Sequence, residues 1–406
     1  MISPIAYAIP VFLALILGEA FIGWRQGRRV YRVQDAVTSL SLGIVSQVVA
    51  AFDKAFVVGI YIITWKYLRI MSLHDGSPWV WIFALLLYDF CYYWNHRLGH
   101  EVNILWAAHV VHHSSEDYNL STALRQTASG FLFGWVFYLP LALLGIPPLV
   151  FIIVGLIDLL YQFWVHTELM PRVAWLDRVL VMPSNHRVHH GRNDWCLDRN
   201  YGGIFMVWDV LFGTYTPERT DDPIIYGTLT PLASYDPLWG NVKVYADIWH
   251  RLRNNVGFAD RLGVLFAKPG WQSQTEAAVA PPVVTAQHFT RYAPPAGTGL
   301  KLYGMVSLAF STVLLVQFLV ISPQLALASQ IIFGLLIVAR LWALSQLWTG
   351  KRLSATFEML GTMVPLGLMT FNLWFAPLSI VLRLASAIML GLVGILYTKF
   401  WKIVAA

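Results

Sequence analysis

Polar and apolar positions in this chain do not alternate; they come in long blocks. Residues 5–24 form an apolar run close to the roughly 20 residues a bilayer-crossing helix needs, and Arg25, Arg28, Arg29 and Arg32 follow directly. A second run, 41–65, is interrupted by Asp53-Lys54, which reads either as an intramembrane functional pair or as the junction of two shorter segments. A third, 79–94, leads straight into His96. Runs 131–144 and 149–165 make a hairpin turned at Gly145-Ile146-Pro147-Pro148, where the Pro-Pro pair breaks the helix. A polar stretch at 191–203 is followed by Trp208-Asp209-Val210-Leu211-Phe212-Gly213. Residues 214–298 are mixed, with proline-rich patches at 280–282 and 293–295, and read as a water-side segment and linker. Four more apolar runs lie near 302–321, 325–348, 355–376 and 378–400.

These blocks predict an all-α, polytopic membrane protein. They divide it into N-terminal spans (1–78), a core (79–215), a water-side segment and linker (216–300) and a C-terminal four-span region (301–406). Composition agrees: of 406 residues, 57% are hydrophobic and only 12% charged, with mean hydropathy +0.58, against about 25% charged in soluble domains. The net charge of +6 needs no nucleic-acid partner, since cytoplasmic loops of membrane proteins carry excess Lys and Arg. Arg25–Arg32, Lys351-Arg352 and Lys399/Lys402 lie at span ends that place one common side in the cytoplasm. The first 20 residues lack a basic n-region and cleavage site and read as a spanning helix, not a removable signal. The last residues carry no retention or lipidation tail. Two cysteines, Cys91 and Cys196, offer no disulfide framework and read as structural thiols.

The candidate chemistry is concentrated in histidine. Nine of the twelve histidines lie between positions 96 and 190, as His96-Arg-Leu-Gly-His100, His109-Val-Val-His112-His113, His166 alone, and His186-Arg-Val-His189-His190. On a helix, positions i, i+3 and i+4 share a face, so each cluster is expected to project its rings together. Neutral imidazole is the commonest metal ligand. Nine of them exceed one zinc site, which takes three or four, and suit two metals. Imidazole alone does not choose among iron, copper, nickel and zinc; a lipid-facing site favours iron by analogy with oxygen activation. His166 is single, yet the hairpin returns it level with the clusters. Asp158, Gln162 and His166 share a face, as do Asp89, Tyr93, His96 and His100. Asp89 reads either as an acceptor orienting the lower histidine through Tyr93 or water, or as a partner elsewhere in the bundle. His74, His250 and His288 have no histidine neighbours and read as surface residues.

The combination of H-x3-H, H-x2-H-H and H-x2-H-H in a multi-span chain resembles the fatty acid hydroxylase (sterol desaturase) superfamily. Longer stretches are similar to its alkylglycerol monooxygenase branch: Tyr92-Tyr93-Trp94-Asn95-His96-Arg97, His100-Glu101-Val102-Asn103-Ile104, the run 112–126, Gln162-Phe163-Trp164-Val165-His166-Thr167-Glu168, and the run 183–193. The likeness covers about residues 35–275 and is weak in the C-terminal spans. Asn95 departs from it, standing where the family has an aromatic residue.

The resemblance implies two irons held by His96, His100, His109, His112, His113, His186, His189 and His190, with His166 as a ninth ligand. It implies tetrahydrobiopterin as reductant, with Glu101 contacting it, and molecular oxygen as co-substrate. The implied reaction hydroxylates a lipid beside an ether oxygen, releasing a fatty aldehyde and a glycerol derivative. The basic span ends Arg25–Arg32 and Lys351-Arg352 predict an active site facing the cytoplasm, and the membrane expected is the endoplasmic reticulum of a eukaryote or the inner membrane of a bacterium. The alternatives are sterol or fatty-acyl hydroxylation or desaturation with a separate protein electron donor, since no fused His-Pro-Gly-Gly segment is present, and a non-enzymatic metal-binding or transport protein. Against transport, the histidines lie at span ends, whereas transporter ligands sit near the midplane.

Overall fold

The computed structural model describes residues 4–254, 257–273, 289–350 and 352–370, with short pieces between 374 and 391. Within these the chain is helical and has no strand, only two isolated bridges, Leu180 with Phe205 and Gly191 with Tyr226. The N-terminal and core helices are α1 (Pro4–Arg25), α2 (Val33–Leu68), α3 (Pro78–Glu101), α4 (Asn103–Ala107), α5 (Val110–His113), α6 (Leu120–Ala123), α7 (Trp135–Leu143), α8 (Pro148–Trp164), α9 (Pro183–His189) and α10 (Val207–Phe212). Further along the chain come α11 (Pro237–Asn254) and α12 (Phe258–Phe266), and then α13 (Thr298–Ile321), α14 (Leu327–Leu347) and α15 (Arg352–Thr370).

Among the described residues, four helices are long and apolar enough to cross a bilayer: Ile5–Arg25, Val33–Leu68, Thr298–Gln324 and Leu327–Leu347. The chain is an integral membrane protein. Three expectations change. The second run is one unbroken helix of 36 residues, so Asp53-Lys54 makes no junction; Asp53 is half-buried and Lys54 exposed. The third run is a helix but not one of the four, because it continues through the polar turns that carry His96 and His100. Pro148–Trp164 and Thr356–Met369 are apolar but shorter. The run expected at 378–400, with Lys399 and Lys402, falls largely outside the described residues, as does His288.

Helix α2 joins two apolar cores. One face packs Ile44, Val45 and Val48 with Leu314 and Phe318 of α13 and Phe333 and Ile337 of α14. Further along, Tyr61 packs with Ala84 of α3, Leu141 of α7 and Val150 of α8. The expected hairpin is present as α7 and α8, with Pro148 at the first helical position, where a missing N–H costs nothing. Its turn needs glycine. Gly145 has φ +86° and sits so close to Met71 that a Cβ would lie 2.1 Å from the Met71 carbonyl oxygen. Tyr61 and Trp65 of α2 then donate to the carbonyls of Ile146 and Gly145, at 3.0 and 3.2 Å. With the turn pinned, α8 delivers His166 to the inner end of α3.

Candidate metal centre

The nine clustered histidines converge on one place but form two groups. In the first, one ring nitrogen from each of His96, His100, His109, His113 and His189 lies within 4.8 Å of all the others; in the second, the same holds for His112, His166, His186 and His190. The sequence expectation that each cluster acts as a single face is corrected here. Consecutive side chains on a helix diverge by about 100°, so His112 and His113 point into different groups, and so do His189 and His190. The i, i+4 partners stay together: His96 with His100, His109 with His113, and His186 with His190. Each H-x2-H-H motif therefore gives two rings to one group and one to the other, and ties the groups together.

The protonation of these rings follows from their partners. A carbonyl oxygen only accepts, so a ring nitrogen facing one must carry the proton. His96 Nδ1 faces the Tyr201 carbonyl at 2.8 Å, His189 Nδ1 that of Arg199 at 2.9 Å, His112 Nδ1 that of Arg125 at 3.1 Å and His166 Nδ1 that of Gln162 at 2.8 Å. Their Nε2 atoms are thereby left as bare lone pairs. His96 Nε2 and His189 Nε2 are buried without a partner, and His112 Nε2 faces His166 Nε2 at 3.2 Å. Two lone pairs that close repel, and burial opposes relief by protonation, holding His112 down at about 4. A cation between them removes the conflict. His186 Nε2 adds contacts at 3.0 Å to His166 and 3.2 Å to His190, and His113 Nε2 lies 3.1 Å from both His100 and His109. These donor sets fit two metal ions bound through imidazole.

The supporting carbonyls are themselves held, by Asp209, Asn200 and Arg125, to which the sequence assigned no role, and by Asp89. Asp209, fully buried, accepts from the backbone N–H of Tyr201 and Gly202 (both 2.8 Å) and from Thr214 Oγ1 (2.6 Å). Asn200, in the left-handed region at φ +56°, donates to the carbonyls of Asn185 and Thr216. Asp89 does not act through Tyr93, whose hydroxyl contacts Thr214 and Arg97. It accepts from the N–H of Ile204 and Phe205 and from Trp208 Nε1, at 2.6, 3.1 and 2.8 Å. Both carboxylates thus clamp the loop that presents the Tyr201 carbonyl to His96. Gly203 makes the approach possible, since a Cβ there would lie 2.8 Å from Asp89 Oδ1 and 2.7 Å from Asp158 Oδ1. For His112, Arg125 does the equivalent work: it is 1% exposed and donates to the Val111 carbonyl, Ser114 Oγ and Ser39 Oγ. The local signal for Asp209 was its place in Trp208-Asp209-Val210, an acid inside an apolar run; Arg125 carried no comparable signal.

An apolar cavity of about 440 Å³ meets both groups, touching His96, His109, His112 and His166. Its outer wall is Ile5, Phe12, Leu40 and Leu315, from three of the helices long enough to cross a membrane. Its inner end is polar: Tyr92 donates to Gln162 Oε1 and Gln162 Nε2 to Asp158 Oδ2, both at 2.6 Å. Asn95 lines this cavity and belongs to neither histidine group. Glu101, expected at the mouth of the site, accepts from Arg97 Nε at 3.2 Å and also lies outside both groups. His74 and His250 are exposed, as expected. Cys91 and Cys196 are buried and unpaired, and burial pushes the Cys196 thiol up to about 12.

Residues 81–214 match the fatty acid hydroxylase family. The chain is 43% identical over 265 residues to alkylglycerol monooxygenase of Homo sapiens, a match covering 65% of this chain and 59% of the relative. It is 41% identical over 298 residues to the Xenopus tropicalis protein of that name, covering 73% of this chain and 66% of the relative. A more distant relative is an ornithine lipid hydroxylase of Rhizobium tropici, 29% identical over 191 residues, covering 43% of this chain and 56% of the relative. The chain thus spans about three-fifths of the length of the human relative. No solved structure matches.

Proposed function

We propose that this chain, which carries a fatty acid hydroxylase domain at residues 81–214 and is alkylglycerol monooxygenase-like over most of its length, is a membrane di-iron monooxygenase that cleaves ether lipids. The observation that carries the reading is the convergence of an apolar cavity, walled by membrane helices, on two histidine groups whose lone pairs demand cations. His96, His100, His109, His113 and His189 hold one iron, and His112, His166, His186 and His190 the other. When bound, the irons supply activation of molecular oxygen.

The protein's own part is positioning. The alkyl chain enters between α1, α2 and α13, and the cavity excludes water around it. Asn95 and the Tyr92–Gln162–Asp158 chain meet the polar end of the lipid beside the histidines. Hydroxylation of the carbon next to the ether oxygen gives a hemiacetal, which collapses to a fatty aldehyde and a glycerol derivative. Tetrahydrobiopterin supplies the electrons, and Glu101 contacts it, since an ionised carboxylate accepts hydrogen bonds from N–H groups. The basic residues Arg25–Arg32 and Lys351-Arg352 support an orientation with the histidine ends of the helices facing the cytoplasm.

The test is to purify the full chain without oxygen, measure its metals, and supply an alkylglycerol, oxygen and tetrahydrobiopterin while following fatty aldehyde. Iron with aldehyde formation supports the reading. Iron with a stable hydroxylated lipid moves the protein to acyl hydroxylation, and active protein holding one zinc and no iron refutes it. Cysteine labelling at positions beside His100 and Asn193 tests orientation: reaction only from the cytoplasmic side is expected, and reaction from the other side reverses the topology.

A further inference from the structure

Two helices of the stretch 216–300 carry apolar side chains on the face turned away from the protein. In α11, Leu238, Trp239, Val242 and Trp249 fall within an arc of about 100° on the helix surface, and all four are exposed, Trp249 by 63%. The buried residues Pro237, Gly240 and Ile248 lie on the opposite side. In α12, Phe258, Leu262 and Phe266, at i, i+4 and i+8, share a second outward face, with Phe258 77% exposed and Val264 buried behind it. The two helices pack together around Ile248 and Val264. A single exposed apolar residue needs no explanation; two stripes on adjoining helices do.

Their place in the fold says what covers them. Helix α11 begins where bilayer-crossing helices have their ends. Asp236, just before it, accepts from Gln346 Nε2 in the last turn of α14 at 2.8 Å. A Cβ on Gly240 would lie 3.7 Å from Leu42, near the start of α2. Arg25 and Arg29, both exposed, stand at the same end, where α1 passes to α2. A helix with one face against its own protein and an apolar face turned outward at that level meets the headgroup–acyl boundary of the bilayer. Tryptophan is enriched there, and Trp239 and Trp249 sit on the stripe. Arg253, exposed and one turn beyond Trp249, can bury its stem beside them while its guanidinium reaches lipid phosphates.

We propose that α11 and α12 lie in the plane of the membrane as an interfacial pair whose partner is the lipid surface itself, and that α11 thereby holds one wall of the apolar cavity level with the bilayer. Asn241 and Tyr245, on the flank of α11 between its two faces, reach the stretch 126–130. Asn241 Oδ1 accepts from the Ala128 N–H at 2.8 Å, and Tyr245 donates to Ser129 Oγ at 2.9 Å. Gln126, Thr127 and Gly130 of that stretch line the cavity. The role for the cavity rests on the lipid substrate proposed above; the membrane contact does not.

Cys91 and Cys196 are both buried, so single cysteines placed on the surface take a nitroxide label selectively. Labels at Val242→Cys, Trp249→Cys and Phe258→Cys are read in the full chain in vesicles of phosphatidylcholine and phosphatidylglycerol. Relaxation is compared between oxygen, which concentrates in hydrocarbon, and a water-soluble nickel chelate. Asp247→Cys, at an exposed position on another side of α11, is the reference. Depths of about 5–10 Å into the headgroup–acyl boundary are expected at the first three, and none at the reference. Preferential relaxation by nickel at Val242 and Trp249 overturns the proposal. So does protection from both reagents, or spin–spin broadening between copies, since protein then covers the face. Asn241→Leu cuts the tie to the cavity wall and leaves the stripe intact. It should raise the KM for lipid in the same vesicles by about three- to ten-fold, the worth of one hydrogen bond, with kcat, iron content and the depth at Trp249 unchanged. An unchanged KM overturns the role for the cavity. If the wild type cleaves no ether lipid, the proposed function falls, and the label depths still decide the membrane contact.

Discussion

Two regions of this molecule bury ionisable side chains, and they do so in opposite ways. In the C-terminal helices, Arg340 is 1% exposed and Glu358 is fully buried. Arg340 donates to Glu358 Oε1 at 2.9 Å, to Ser307 Oγ and its carbonyl, and to Ser311 Oγ and Thr362 Oγ1, with Phe310 beneath its guanidinium. Every donor nitrogen of the guanidinium finds an acceptor inside the protein. In the histidine core, the partners of the Nε2 atoms are other lone pairs, or nothing. A polar cluster whose donors all find acceptors, with Glu358 Oε2 alone left over, pins helices together; one whose acceptors face each other is complete only with something added. The first is a structural bolt between α13, α14 and α15, and the second is a binding site.

Breaking that comparison at the metal end has the largest expected effect. His112→Ala and His113→Ala are neighbours in sequence but belong to different groups, so each should abolish lipid turnover and lower iron from about two to about one per chain. The surviving iron should differ between the variants in its spectrum, while membrane insertion is unchanged. Identical metal loss in both would collapse the two groups into one. At the structural end, Arg340→Met leaves Glu358 buried and unpaired, which costs about 3–5 kcal/mol, read as earlier thermal unfolding in detergent with iron content retained. The double variant Arg340→Met/Glu358→Leu should recover most of that loss; a further drop would show that the pair does more than hold the helices.

A smaller effect sharpens the contrast from the supporting side. Asp209→Asn weakens the clamp on the Tyr201 carbonyl behind His96, and should lower metal affinity by about 10–100-fold, as loss of such supporting groups does elsewhere, measured by competition with a chelator. An unchanged affinity would make the loop self-supporting. The smallest expected change is at Glu101→Gln, already engaged with Arg97. Full iron with about a ten-fold higher tetrahydrobiopterin requirement is expected, the scale of one charge-assisted hydrogen bond. No change would return Glu101 to its ion pair, and lost iron would move it into the ligand set.

Much of this was legible in the residues alone. Block length and the scarcity of charge announced a helical membrane protein, because a bilayer leaves the backbone few other solutions. Eight histidines at i, i+3 and i+4 spacing announced metal, because that spacing is itself the geometry of a helix. The Pro-Pro turn returned His166 to the others, and the hairpin pinned by Met71 and Tyr61 does place it there.

Local periodicity could not divide the rings into five and four. Whether His112 turns to His166 or to His109 depends on where α8 and α9 come to rest, and those positions are set by contacts some 50 to 80 residues apart in sequence. The same holds for Asp89, whose partners lie 115 to 119 residues further along the chain, and for the apolar cavity, which exists only between elements. Sequence determined the chemistry on offer, because side-chain identity and helical spacing are local. The tertiary structure alone decided which lone pairs meet, because a buried nitrogen's partner is chosen by packing at a distance.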